Sequence, residues 1–365
     1  MSIDSPHGSR DSDLIPLTWD SALEKHADIQ RANNRRRATI ESHQYRLSLF
    51  IEWLTPKALL EPEEDEGPRI CKTTELKRHH IQDYKLKRSN EVAKTTLKTQ
   101  MDTIRVFFRN LESYGALPDG MHQFAESPNL EDGEGQRSQH LPTERGNQIR
   151  DHLRKYAWAS ERHIFHEVIW STGMRIGAAH GIDVDDIDFD ENLIRLRHRP
   201  DQGTTLKNGK VGERTVTIHG TVVDAIEDFL ERPDRPDNVE DEYGRTPLFC
   251  NEDGTGRRHK QYLRDLCYSV TRPCLTEDGC PCEDRDPKTC SAAQSKSKAY
   301  GCPASMAPHA LRSGALTRMM ENDIPPWAIS RRVDCSEKVL EEHYVELDED
   351  EKAEVLRDYF EDDYE

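Results

Sequence analysis

The sequence predicts a mainly α protein in two domains, the second carrying a small antiparallel β-sheet. Apolar residues recur at steps of three and four through both halves. One pair of segments, 193–197 and 215–218, alternates apolar and polar residues as paired strands do. Residues 117–141 lose all periodicity and contain Pro118, Gly120, Pro128, Gly133 and Gly135, the composition of a connection between domains. The expected organisation is therefore a tail over 1–14, a helical domain over 15–120, a linker over 121–141 and a second domain over 142–365. A cysteine-rich insertion at 274–302 interrupts that second domain.

In the first domain, Tyr45, Leu49, Trp53 and Leu54 mark a helix beginning near Thr39. Leu97, Met101, Ile104, Phe108 and Leu111 mark the next. The second domain opens with Leu141, Pro142 and Thr143, where Thr143 is read as the N-cap of a helix through Ile149 and Leu153. Ile164, Phe165, Val168 and Ile169 line a further helix that stops at Gly173, and Arg175 follows at once. The strand over 193–197 and its partner at 215–218 enclose a polar connection with Lys207 and Lys210. Later, Ala315, Leu316 and Met319 continue a helical face that ends at Glu321, and Pro325, Pro326 and Trp327 restart the chain.

Charge bounds the function. The chain has 365 residues, with 51 Lys and Arg against 69 Asp and Glu, a formal charge of -18. Total charge opposes nucleic acid as a partner, since such binders are usually basic. Its distribution does not. Residues 341–365 hold 13 acidic and 2 basic residues, whereas 77–109 hold 9 Lys and Arg against 3 Asp and Glu. Arg35, Arg36, Arg37, Lys85, Lys87, Arg88, Lys94 and Lys98 fall on the polar faces of the helical domain and are the candidates for tracking a phosphate backbone. An acid-coated surface also fits a high-salt cytoplasm, where self-repulsion is screened, so the source is expected to be a halophile. No apolar run reaches the length of a membrane span, and a cytoplasmic protein with no membrane partner is expected.

Four residues carry the chemistry. Arg175 and Arg312 each offer a planar fork that grips phosphate oxygens in pairs and stabilises the extra charge of a pentacoordinate phosphorus. His309 lies one helical turn before Arg312 and suits proton transfer. Tyr344 supplies a phenolic oxygen that can attack phosphorus. The stretches Ser171-Thr172-Gly173-Met174-Arg175, Lys207-Asn208-Gly209-Lys210 through Arg214-Thr215-Val216, His309-Ala310-Leu311-Arg312 and Glu342-His343-Tyr344 together resemble the tyrosine recombinase, or phage integrase, family. Any one stretch is weak evidence. Four in this order over nearly the whole chain are not.

The resemblance implies a SAM-like helical core-binding domain and a catalytic domain that clamp double-stranded DNA, with self-association on DNA from dimer to tetramer. It also suggests an archaeal, halophile-like Xer-type member. By the same resemblance Tyr344 attacks the scissile phosphate and forms a 3′-phosphotyrosine, Arg175 and Arg312 hold its oxygens, and His309 assists. Lys207, or failing it Lys210, protonates the leaving 5′-oxygen. Catalysis needs no cofactor. Rivals are a DNA-binding regulator or architectural protein that does not cut, and a type IB topoisomerase-like activity. Two positions depart from the family pattern. Ala178 stands where an acid usually orients the first arginine, and Cys335, preceded by Asp334, stands where His or Trp is usual; His180, Arg332 or His343 are candidate substitutes.

Five of nine cysteines, Cys274, Cys280, Cys282, Cys290 and Cys302, cluster in the polar insertion. Clustered thiols in a reducing compartment point toward metal. A structural zinc site is expected at Cys274, Cys280, Cys290 and Cys302, with Cys282 an alternative to Cys280. Cys71, Cys250 and Cys267 are expected to be small buried residues.

Overall fold

Apolar side chains at helical spacing place their own helices in the first part of the chain. The structure, a computed structural model, describes residues 14–55, 68–131, 140–237, 239–276, 280, 282, 286–337 and 340. Contacts divide the chain into two units, Met1–Arg137 and Ser138–Glu365. Tyr344 and His343 lie outside the described residues.

Unit one is built from α1 (Trp19–Ala32), α2 (Arg37–Leu54), α3 (Arg78–Glu91) and α4 (Lys94–Tyr114). In α4 the stripe Leu97, Met101, Ile104, Phe108 and Leu111 is buried, with Phe107 beside it. The helix stops at Gly115, whose φ of 80° is the left-handed cap that glycine adopts without a Cβ penalty. Phe50 of α2 meets Tyr84 of α3 edge-on at 4.9 Å between centroids and Phe108 at 5.9 Å. Each such ring contributes on the order of 1.5–3 kcal/mol by leaving water. The α2 stripe is shifted from its expected phase. Ile40, Leu47, Phe50, Ile51 and Leu54 face the core, and Tyr45 is exposed. Past α4, a helical turn at Met121–Phe124 adds buried Met121 to this core, and Ala125 follows it inside.

Unit two carries α5 (Thr143–Tyr156), α6 (Glu161–Thr172), α7 (Ile176–His180), α8 (Gly220–Leu230), α9 (Lys260–Val270), α10 (Ser291–Gln294), α11 (Pro308–Glu321) and α12 (Pro326–Val333). Its sheet is three-stranded and antiparallel, in the order β1 (Ile187–Asp188), β2 (Leu193–Leu196), β3 (Arg214–Thr217). The register pairs Ile187 with Ile194 and Ile194 with Val216. One face of the sheet is therefore apolar and joins the main core with Phe165, Ile169, Trp170 and Leu311. Glycine permits two close approaches. A Cβ at Gly146 would lie 2.2 Å from the Trp170 ring, and one at Gly314 would lie 2.2 Å from the Leu141 carbonyl. Thr143 begins α5 rather than capping it. Pro142 holds the cap position, and the Thr143 hydroxyl is buried with no hydrogen-bond partner among the described residues.

Among the described residues, no helix is long and apolar enough to cross a membrane.

Candidate active site: a guanidinium pocket

The turn after α6 sets the first arginine. Gly173 caps α6 at φ 62°, and a Cβ there would come within 2.9 Å of Val333, so both backbone conformation and packing demand glycine. Two residues on, Arg175 occupies the N-cap of α7. Arg312, in the second turn of α11, reaches the same turn from the other side. Its Nη1 donates to the Gly173 carbonyl at 2.5 Å and to the Val333 carbonyl at 3.0 Å. Those acceptors fix the guanidinium without neutralising it. Burial, then the neighbouring charges of Arg175 and Arg214, pushes the Arg312 pKa down to about 9. Its charge is thus held at a cost that a bound anion would relieve.

The C-terminal end of α12 gathers the remaining parts. Arg175 Nη1 donates to Asp334 Oδ2 at 3.0 Å, and the Asn208 amide donates to Asp334 Oδ1 at 2.8 Å. Arg214, at the start of β3, donates through Nε to the Arg332 carbonyl at 2.6 Å and lies 3.9 Å from Asp334. Arg332 donates to the carbonyls of Thr217 at 2.7 Å and Ser171 at 3.1 Å. The pKa of Arg214 and that of Arg332 are both pushed down, first by burial. Among the described residues, Arg175, Arg214 and Arg312 thus face one carboxylate, with the Arg332 guanidinium beside Arg214, an arrangement with the charge to bind an anion. Cys335 borders the same pocket, where burial raises its thiol against the opposing pull of Arg312 and Arg175.

Among the expected site residues, Arg175 and Arg312 come together. His309 is exposed on the first turn of α11, one turn before Arg312. Lys207 and Lys210 are exposed on the connection between β2 and β3, which the Asn208 amide ties to Asp334. Tyr344 lies outside the described residues. His180 turns away from the pocket, pairing through Nε2 with the Arg258 carbonyl at 2.8 Å. Arg214, Arg332 and Asp334 complete the cluster. Of these, the sequence marked Arg214 within a motif and Arg332 as a candidate substitute; Asp334 was only the residue before Cys335.

In unit one, Lys85, Lys87 and Arg88 lie on α3 and Lys94 and Lys98 on α4, separated by extended Val92, so they do not share one helix. Several are paired within the chain. Arg37 meets Glu41 at 2.7 Å, Lys98 meets Asp102 at 2.8 Å and Lys87 meets Glu91 at 3.5 Å. Arg88 pairs with Glu91 and donates to Gln100 at 3.2 Å. Arg35 and Arg36 are exposed at the start of α2.

The expected zinc site finds no support. Among the described residues no group of three or more His, Cys, Asp and Glu is placed to hold a metal ion. The Cys282 thiol hydrogen-bonds to Cys280 and Cys302, but such contacts are not a closed ligand set for Cys274, Cys280, Cys290 and Cys302. Cys290 begins the short α10 as its N-cap residue. Cys250 and Cys267 are buried as expected, and Cys71 is exposed.

A three-stranded sheet among helices carries two arginines from separate elements in one cationic pocket, whose charge suits an anion. The sequence matches the phage integrase family over residues 140–351, more than half of the chain, and the protein belongs to that family of tyrosine recombinases. No curated protein sequence matches the chain. Among solved structures it is similar to a Tn1549 transposon integrase in complex with a circular intermediate DNA, at 15% identity and a TM-score of 0.60, over 92% of this chain and 99% of that one. It is similar to a lambda integrase dimer bound to a COC′ core site, at 13% identity and a TM-score of 0.57, over 90% of this chain and 95% of that one. A lambda integrase tetramer bound to a Holliday junction matches at 13% identity and a TM-score of 0.57, over 90% of this chain and 77% of that one. At such identities the likeness is one of fold.

Proposed function

We propose that this protein is a site-specific DNA recombinase that cuts and rejoins double-stranded DNA through a 3′-phosphotyrosine. The observation that carries the reading is the guanidinium pocket. Arg175 and Arg312, 137 positions apart in sequence, share a site where, among the described residues, a single carboxylate faces them. A phosphodiester is the anion that such forks fit. The Tyr344 oxygen forms a bond to phosphorus as the bond to the 5′-oxygen breaks. The phenolic proton leaves by way of His309 or water, and Lys207 delivers a proton to the departing 5′-oxygen. The new ester conserves the energy of the old one, so rejoining reverses the step and requires no nucleotide.

The basic faces of unit one supply phosphate contacts that carry no sequence information. The DNA-bound dimers and tetramers among the similar structures support a synapse assembled from copies of this chain. Its net charge of -18 supports a protein from a salt-rich cytoplasm, an archaeal halophile-like branch of the family.

Incubation with a nicked duplex, whose cleaved fragment diffuses away, tests the scheme on DNA flanking the gene. The expected result is an adduct that survives denaturation and is abolished in Tyr344→Phe. Binding without adduct would instead favour a regulator or architectural protein. Relaxation of supercoils without strand exchange would favour the topoisomerase-like activity.

A further inference from the structure

We propose that Asp334 is the positioning acid of this pocket, supplying from the end of α12 the carboxylate that Ala178 lacks. The inference rests on the phosphate-holding role argued above for Arg175.

Its first support is conformational. Asp334 sits at φ 56° and ψ 58°, the left-handed region, as the C-cap of α12. Glycine is the usual occupant of such a cap, because a Cβ there crowds the backbone. A strained position at a site is a reason to look for what its side chain does. Here both carboxylate oxygens are engaged by different elements, Oδ2 by Arg175 of the α7 cap and Oδ1 by Asn208 of the β2–β3 connection. The neighbouring chain makes room for it. A Cβ at Gly212 would lie 3.1 Å from Asp334 Oδ2.

Its second support is the apolar residue it compensates. Ala178 follows Arg175 by one turn of α7, is buried, and has no polar side-chain atom with which to orient a guanidinium. Asp334 reaches that guanidinium across 159 positions of sequence. It engages Nη1, the atom opposite the Nε edge of the fork. The same carboxylate sets the register of the Lys207 stretch against Arg175 through Asn208. One side chain therefore aligns the group that holds the phosphate and the stretch that carries the general acid.

A carboxylate in a cationic pocket could instead occupy the phosphate's own seat. The geometry favours positioning. An occupant of that seat would bridge both arginines, whereas Arg312 Nη1 is directed at the Gly173 and Val333 carbonyls and Asp334 divides its oxygens between Arg175 and Asn208.

The test compares single-turnover cleavage of the nicked duplex by the full chain, Asp334→Asn and Asn208→Ala. Asparagine tolerates the left-handed cap, so Asp334→Asn keeps the fold while losing the charge. Cleavage is expected to fall about 10- to 100-fold in Asp334→Asn and severalfold in Asn208→Ala, with DNA affinity and melting temperature nearly unchanged. Introducing Ala178→Asp into the Asp334→Asn chain is expected to restore part of the rate, which a merely structural role for Asp334 would not allow. Wild-type cleavage by Asp334→Asn would overturn the proposal. Faster cleavage would also overturn it, by showing a competitor for the phosphate. A readout independent of DNA separates this inference from the recombinase reading: in arginine side-chain NMR of the free protein, Arg175 is expected to rotate slowly in the wild type and freely in Asp334→Asn. Identical spectra would sink the positioning role even where adducts form. A restrained Arg175 in a wild type that forms no adduct would leave the ion pair standing and overturn the recombinase reading alone.

Discussion

Unit two holds two clusters of arginine and aspartate, and their charge balance separates scaffold from site. In the first, Asp183 is paired with Arg199 at 3.1 Å, with Arg245 at 3.3 Å and with Arg257. Asp186 holds Arg199 at 2.6 Å and Arg197 at 3.3 Å, and Asp241 holds Arg245 at 3.0 Å and Arg257 at 3.2 Å. The hydrogen bond from Arg199 to Asp186 raises the Arg199 pKa. In the second cluster, Asp334 is the one carboxylate among the described residues that faces Arg175, Arg214 and Arg312, with Arg332 beside them, and burial lowers the pKa of Arg214, Arg312 and Arg332. Three carboxylates for four guanidiniums make a nearly neutral knot, which ties the α7–β1 segment to the chain around 241–257. Among the described residues, one carboxylate beside four arginines leaves a positive pocket in which Arg214, Arg312 and Arg332 are held by carbonyl dipoles. The contrast teaches that arginine content alone does not mark an anion site; the deficit of acid does.

The comparison breaks most visibly at Asp183. Asp183 is buried and its three arginine partners are half-buried; replacing it with Asn takes one carboxylate partner from each, and removing one partner of a buried pair costs up to roughly 3–5 kcal/mol. Urea unfolding should show that loss, while adduct yield per folded molecule stays at the wild-type level. Equal stability would mean the knot is not a scaffold, and loss of cleavage in the folded fraction would mean the two clusters are not separate in function.

A smaller effect sharpens the contrast with the basic surface of unit one. Changing Lys85 and Lys87 together to Gln is expected to lower the salt slope of DNA affinity by about 0.9 for each phosphate that a lysine no longer neutralises. The rate of cleavage once DNA is bound should not change. Lys87 already faces Glu91 at 3.5 Å, so its share should be the lesser of the two. An unchanged slope would remove these lysines from the DNA path.

Much of the helical scaffold was legible because its signal is local and periodic. The α4 stripe from Leu97 to Leu111 was read residue for residue, and the stop at Gly173 followed from glycine's freedom at positive φ. In α2 the aromatic Tyr45 drew the stripe off phase, since period alone does not say which face of a mixed helix meets a core. The two-residue strand β1 is too short to show alternation, and Val92, which parts α3 from α4, has no breaker composition. At the site, the two arginines were marked by their motifs, but Asp334 was not. Its meaning depends on a turn that brings it to Arg175, and such a convergence has no trace in spacing. The cysteines show the converse. Their number was plain in the sequence, but ligand geometry depends on where the backbone points each thiol.

Arg312→Lys tests the central claim most directly. Lysine keeps the charge and loses the fork, so single-turnover adduct formation on the nicked duplex should fall about 10²- to 10³-fold, the usual effect of removing one preorganised donor to a transition state. Adduct formation at the wild-type rate by a folded, DNA-binding Arg312→Lys protein would contradict the account, because the phosphate would then not rest on that guanidinium.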